Sequence, residues 1–197
     1  MENASYSLGT GWTALGTGVV GILAVLFLAL FFAVGEPFGT LNDSFSAFLG
    51  VASAVLAWRL YTAYHTSRPL LSQAGVVLAW VGAAVAVIGS VLVIFRFTGW
   101  LLAGFYTGLG YAFLGVWLAV FCCTARLDGA FPDRLLTFGL VTGILMAFGV
   151  MSLLGITAGI DAMAAMPWYL NVAYVGYLGS ILYLIWLIWL GRVLLAR

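Results

Sequence analysis

AGVVLAWVGAAVAVIGSVLVIFRFTGWLLAGFYTGLGYAFLGVWLAVFCCTAR, residues 74–126, decides the fold. It holds two apolar runs, 74–95 and 99–123, joined by a connection around Arg96 to Gly99. Each is long enough, at about 20 residues or more, to cross roughly 30 Å of hydrocarbon as an α-helix. A link that short makes the two helices antiparallel neighbours. Working outward, comparable runs occupy 12–34, 45–64, 135–158 and 168–191. The expectation is an all-α, polytopic membrane protein, with residues 1–197 forming one compact bundle of six transmembrane helices.

Charge sets the expected orientation. The chain carries 7 basic side chains against 6 acidic ones, and every basic one is arginine. Arg59 and Arg68 flank the second connection, Arg126 and Arg134 the fourth, and Arg192 and Arg197 follow the last run. Only Arg96 falls on the opposite side, where the connections carry Glu36, Asp43 and Asp161. Basic residues in short loops are retained in the cytoplasm during insertion, so both termini are expected there. The first run follows Glu2, has no positive flank and is too long for a signal-peptide core; it is read as a retained helix.

Composition excludes other classes. Hydrophobic residues make up 65% of the chain and charged residues 7%, with mean hydropathy +1.19; soluble domains carry about a quarter charged residues. Near-zero net charge without a basic cluster leaves no footprint for nucleic acid. The expected surroundings are the lipid bilayer of a cell membrane. The adjacent pair Cys122 and Cys123 is poorly placed for an unstrained disulfide and reads as small apolar filler.

Helix breakers and interfacial residues agree with this segmentation. Pro37, Pro69, Pro132 and Pro167 all lie outside the expected helix interiors, where prolines belong. Thr40, Asp43 or Ser44 could cap the second helix. Trp100 and Trp168 are expected at headgroup depth on one side, and Trp186 and Trp189 towards the other.

Small residues mark the packing faces. Gly75, Ala79, Gly82, Ala86 and Gly89 form a heptad seam on the third helix. Gly104, Gly108 and Ala112 repeat every four residues on the fourth, as do Gly139, Gly143 and Ala147 on the fifth. Such stripes let backbones approach closely in lipid, within one chain or between a chain and a partner.

Chemistry-bearing residues are scarce. The single histidine, His65, sits near an expected helix end and cannot alone build a haem or metal site. No lysine is present to activate a serine or cysteine nucleophile. No acidic residue falls near the centre of an expected span, which argues against proton coupling. No catalytic residue, metal or cofactor is expected. The remaining candidate is a shallow outward-facing pocket. Glu36, Asp43, Arg96 and Asp161 would rim it, with Arg96 facing three acidic residues. Tyr106, Tyr111, Asn171, Tyr174 and Tyr177 would lie below, Asn171 and Tyr174 sharing a helix face.

Residues 131–155, FPDRLLTFGLVTGILMAFGVMSLLG, and 180–196, SILYLIWLIWLGRVLLA, resemble the C-terminal half of small, uncharacterised six-helix bacterial integral membrane proteins. The shared features are a basic loop leading into a Gly-rich helix, and Trp189-Leu190-Gly191 before Arg192. That resemblance implies a bacterial cytoplasmic membrane and brings no activity with it. The expected function is non-catalytic: an interaction or accessory subunit packing through small-residue faces, as a homo-oligomer or with another membrane protein. The alternative is a binding or transport protein for a lipid-like or neutral small molecule.

Overall fold

The computed structural model describes residues 2–64 and 68–196, with side chains from residue 7 onward. His65 lies outside the described residues, as does Arg197. Among the described residues the chain is helical, with no strand. Its elements are α1 (Glu2–Val34), α2 (Phe38–Ala63), α3 (Pro69–Ile94) and α4 (Trp100–Leu127). The fifth span comprises α5 (Asp133–Ala147), a 3-10 turn at Phe148–Met151 and α6 (Ser152–Thr157). The sixth opens as a 3-10 turn at Trp168–Val172 and continues as α7 (Ala173–Leu195). Six helical stretches are long and apolar enough to cross a bilayer, as in a multi-pass membrane protein.

Four helices begin earlier than the apolar runs do, α1 and α2 by the most. α1 starts at Glu2 instead of 12, and α2 at Phe38 instead of 45. Hydropathy drops at these ends, but the hydroxyls there bond back into their own helices. Thr13 donates back to the Gly9 carbonyl at 2.8 Å, and Ser44 to that of Thr40 at 2.8 Å. A hydroxyl satisfied in this way is compatible with a helix interior.

The expected cap of the second helix is therefore corrected. Thr40, Asp43 and Ser44 all lie inside α2, and Asp43 is not a loop residue. Glu36 takes the capping part: its Oε2 accepts from the Thr40 backbone N–H at 3.3 Å and from Thr40 Oγ1 at 3.2 Å. Pro69 occupies the first turn of α3, where its missing N–H has no consequence.

Each spanning segment packs against the next in sequence, and α7 closes the arrangement against α1. α4 is the most enclosed, with 72% of its most apolar stretch buried, against 22% for α1. The α3 seam faces α4. A Cβ built on Gly82 would lie 2.5 Å from the Gly110 carbonyl oxygen, and one on Gly110 equally close to that of Gly82. On another face of α4, Gly115 meets Gly143 of α5 in the same manner, and Gly108 and Ala112 lie against Gly149. Gly149 sits in the 3-10 turn, whose backbone is pressed between Gly108 of α4 and Gly176 of α7. Gly191 of the Trp-Leu-Gly motif lies against Leu15 and the Gly11 carbonyl of α1.

One tryptophan departs from its expected place. Trp186 is fully buried in the core, stacked on Tyr183 at 5.9 Å and edge-on to Phe121 and Trp117. It lies on the inward face of α7, whereas Trp189, Trp100 and Trp168 stay exposed.

Candidate functional site

The loop end carrying Glu36, Arg96 and Asp161 is called the acidic end here, and the opposite one the arginine end. At the acidic end the nine candidate residues divide into two groups. Asp43, Tyr111, Tyr177 and Tyr174 lie within the spanning helices α2, α4 and α7. Asp43 is half-buried in the second turn of α2 and accepts from Asn42 Nδ2 at 3.3 Å. The buried Tyr111 hydroxyl donates to the Ser46 carbonyl at 3.0 Å, tying α4 to α2. Tyr177 donates to the Gly104 carbonyl at 2.8 Å, tying α7 to α4. The Tyr174 ring is 5.9 Å from that of Tyr177, and its hydroxyl faces the sulfurs of Met163 and Met166 at 3.8 and 3.9 Å.

The others are placed apart. Among the described residues Arg96 forms no ion pair with Glu36, Asp43 or Asp161; it is exposed at a turn with φ 58°. Asp161 instead caps α4 from the connection between the fifth and sixth spans, its carboxylate accepting from the Gly99 N–H at 2.6 Å and the Leu102 N–H at 3.2 Å. A carboxylate there complements the positive end of the helix dipole. Glu36 caps α2, Tyr106 is half-buried on α4, and Asn171 is exposed in the 3-10 turn before α7. The candidate site thus holds a half-buried carboxylate on α2 and, on α4 and α7, two tyrosines whose hydroxyls already bond to neighbouring helices. An ionisable group within a span ordinarily marks a functional position.

Sequence reasoning missed a set of polar atoms deeper in the bundle. Ser53 Oγ, Thr142 Oγ1, Ser152 Oγ, Tyr183 Oη and Trp186 Nε1 are buried without a hydrogen-bond partner. Tyr183 and Ser53 face each other without closing a bond of standard geometry. Their signal in the sequence was a polar residue on an otherwise small or apolar face, which Ser and Thr also show when they merely bond to their own helix.

Two concavities open towards the arginine end. One is a niche of about 10 Å³ among Ala57, Tyr61, Tyr64, Ser72, Trp117 and Thr124, room for about one water. The second is a groove of about 520 Å³ between α5 and α7, lined by Asp133, Arg134, Thr137, Phe138, Val141 and Trp189. Cys122 is buried and Cys123 exposed, and both are free thiols. No known protein family matches the chain, and no curated protein or solved structure shows significant similarity to it.

Proposed function

We propose that this protein is a non-catalytic accessory or interaction subunit of a bacterial cytoplasmic membrane, with the arginine end and both termini in the cytoplasm. The observation carrying this reading is the enclosure of α4. Glycine contacts bring backbones together on its α3 face, its α5 face and the face covered by the 3-10 turn. Backbones that close leave no space between them for a solute path, which favours a rigid scaffold over a transporter. The small-residue seams are occupied within the bundle, so a partner would meet the exposed apolar side chains of α1 and α3, such as Ile22, Leu26, Val77 and Val81.

Orientation rests on the arginines: Arg59, Arg68, Arg126, Arg134 and Arg192 gather at one end and Arg96 stands alone at the other. The bacterial membrane rests on the resemblance of residues 131–155 and 180–196. The test is native mass spectrometry after mild extraction from the source membrane. A homo-oligomer or a stoichiometric protein partner is the expected result. A monomer without any protein partner would overturn it.

A second reading, binding of a lipid-like or neutral small molecule at the acidic end, is favoured by the half-buried Asp43 carboxylate within the α2 span. If it holds, Asp43→Asn lowers retention of that molecule while leaving folded yield unchanged. Equal retention would remove it.

A further inference from the structure

The α5–α7 groove has an unusual combination of walls. Arg134, Thr137, Phe138 and Val141 recur at helical spacing along one face of α5, and the half-exposed indole of Trp189 closes the other side. The Phe138 and Trp189 rings are 6.1 Å apart, so the floor is aromatic and the mouth polar. Charge at that mouth does not cancel. Asp133 is matched by Arg126, whose Nε lies 3.7 Å from Oδ1, and Arg126 also donates to Thr137 Oγ1 at 2.5 Å. Arg134 is exposed and, among the described residues, has no acidic partner. One guanidinium without an acidic partner among the described residues therefore stands at the head of a shallow, open groove along the first turns of α5.

We propose that this groove is a binding site for one anionic phospholipid, its phosphate on Arg134 and an acyl chain along Phe138, Val141 and Trp189. The chemistry on both sides matches. Arg presents a planar fork to a phosphate, and an aromatic-lined furrow receives a chain that would otherwise lie against bulk lipid. A zwitterionic lipid brings a choline beside the same guanidinium and loses the charge match. A groove of about 520 Å³ is too small for a whole lipid, so the second chain remains in the bilayer. The proposed orientation enters only in assigning the lipid to the cytoplasmic leaflet, where anionic headgroups attract basic residues.

The test uses the purified full chain in detergent, titrated with phosphatidylglycerol or with phosphatidylcholine, and read by native mass spectrometry and thermal unfolding. Detergent imposes no orientation, so failure of the topology and failure of the site are distinguishable. The wild type should retain one phosphatidylglycerol in preference to phosphatidylcholine, with a higher Tm. Arg134→Gln should weaken phosphatidylglycerol binding about fivefold, the usual effect of one basic residue at a membrane surface, and leave phosphatidylcholine binding as it was. Arg68→Gln, at a basic residue of the same end just before α3, should retain wild-type binding. Val141→Trp, at an exposed position, should fill the groove and reduce binding of both lipids. Equal binding of the two lipids by the wild type would overturn the site. So would equal losses in Arg134→Gln and Arg68→Gln, or unchanged phosphatidylglycerol binding in Val141→Trp.

Discussion

Tyr111 and Tyr183 are both buried phenols, yet their hydroxyls are in opposite situations. The Tyr111 hydroxyl closes a bond between α4 and α2, whereas that of Tyr183 is buried without a partner. A net hydrogen bond is worth about 1 kcal/mol, and removal of an unsatisfied polar atom is close to neutral or stabilising. Tyr111→Phe should therefore lower the unfolding free energy by about 1 kcal/mol, while Tyr183→Phe should leave stability unchanged or raised. Denaturant titration in detergent measures both, and equal losses would contradict the assignment. At the acidic end, Asp161→Ala should cost about 1 kcal/mol, as loss of a helix cap does. Gly99→Ala should cost a similar amount, because a Cβ there would sit 2.6 Å from the Asp161 carboxylate. The double variant should be scarcely worse than either single one, since both remove the same contact. These capping carboxylates were not legible beforehand. Asp161 lies 62 residues from Gly99, and an acidic residue in a loop looks the same in sequence whether it serves a helix end or a ligand.

Among the elements, α4 shows most clearly what the pattern of residues reveals and what it hides. Apolar length was sufficient to locate the six spanning stretches, because crossing hydrocarbon demands it. The α3 seam was legible too, since Gly82, Ala86 and Gly89 keep a helical register and lie against α4, Ala86 meeting α2 as well. On α4 the spacing of Gly104, Gly108 and Ala112 exposed one packing face only. Gly110 and Gly115 belong to other faces, and a helix enclosed on several sides has no single stripe to find. The 3-10 turn at Phe148–Met151 was equally silent: it contains no proline, and its cause is Gly149 pressed between two other helices. Gly110→Ala should destabilise the bundle by about 1–3 kcal/mol, the range for overpacking a tight contact. Gly16→Ala on α1, where nothing lies within 4 Å, should not destabilise it. Thermal unfolding of the two variants side by side checks this, and a similar Tm for both would contradict the close α3–α4 approach.

For the whole molecule, the orientation prediction is open to direct measurement. Periplasmic reporters fused after residue 66 or residue 129 should be inactive, and cytoplasmic reporters at the same points active. The reverse pattern would turn the bundle over and place Arg96 inside. The enclosure of α4 also has a consequence for how the chain is made. α3 is synthesised before α4 and is available at once to cover its Gly110 face. The Gly108 and Gly115 faces must wait for Gly149 and Gly143, and α7 arrives later still. At ordinary translation speed that interval lasts on the order of several seconds. Throughout it the nascent chain presents two open glycine furrows to the insertion machinery, and a ribosome stalled there would leave a half-built protein that membrane quality control could recognise by those furrows alone.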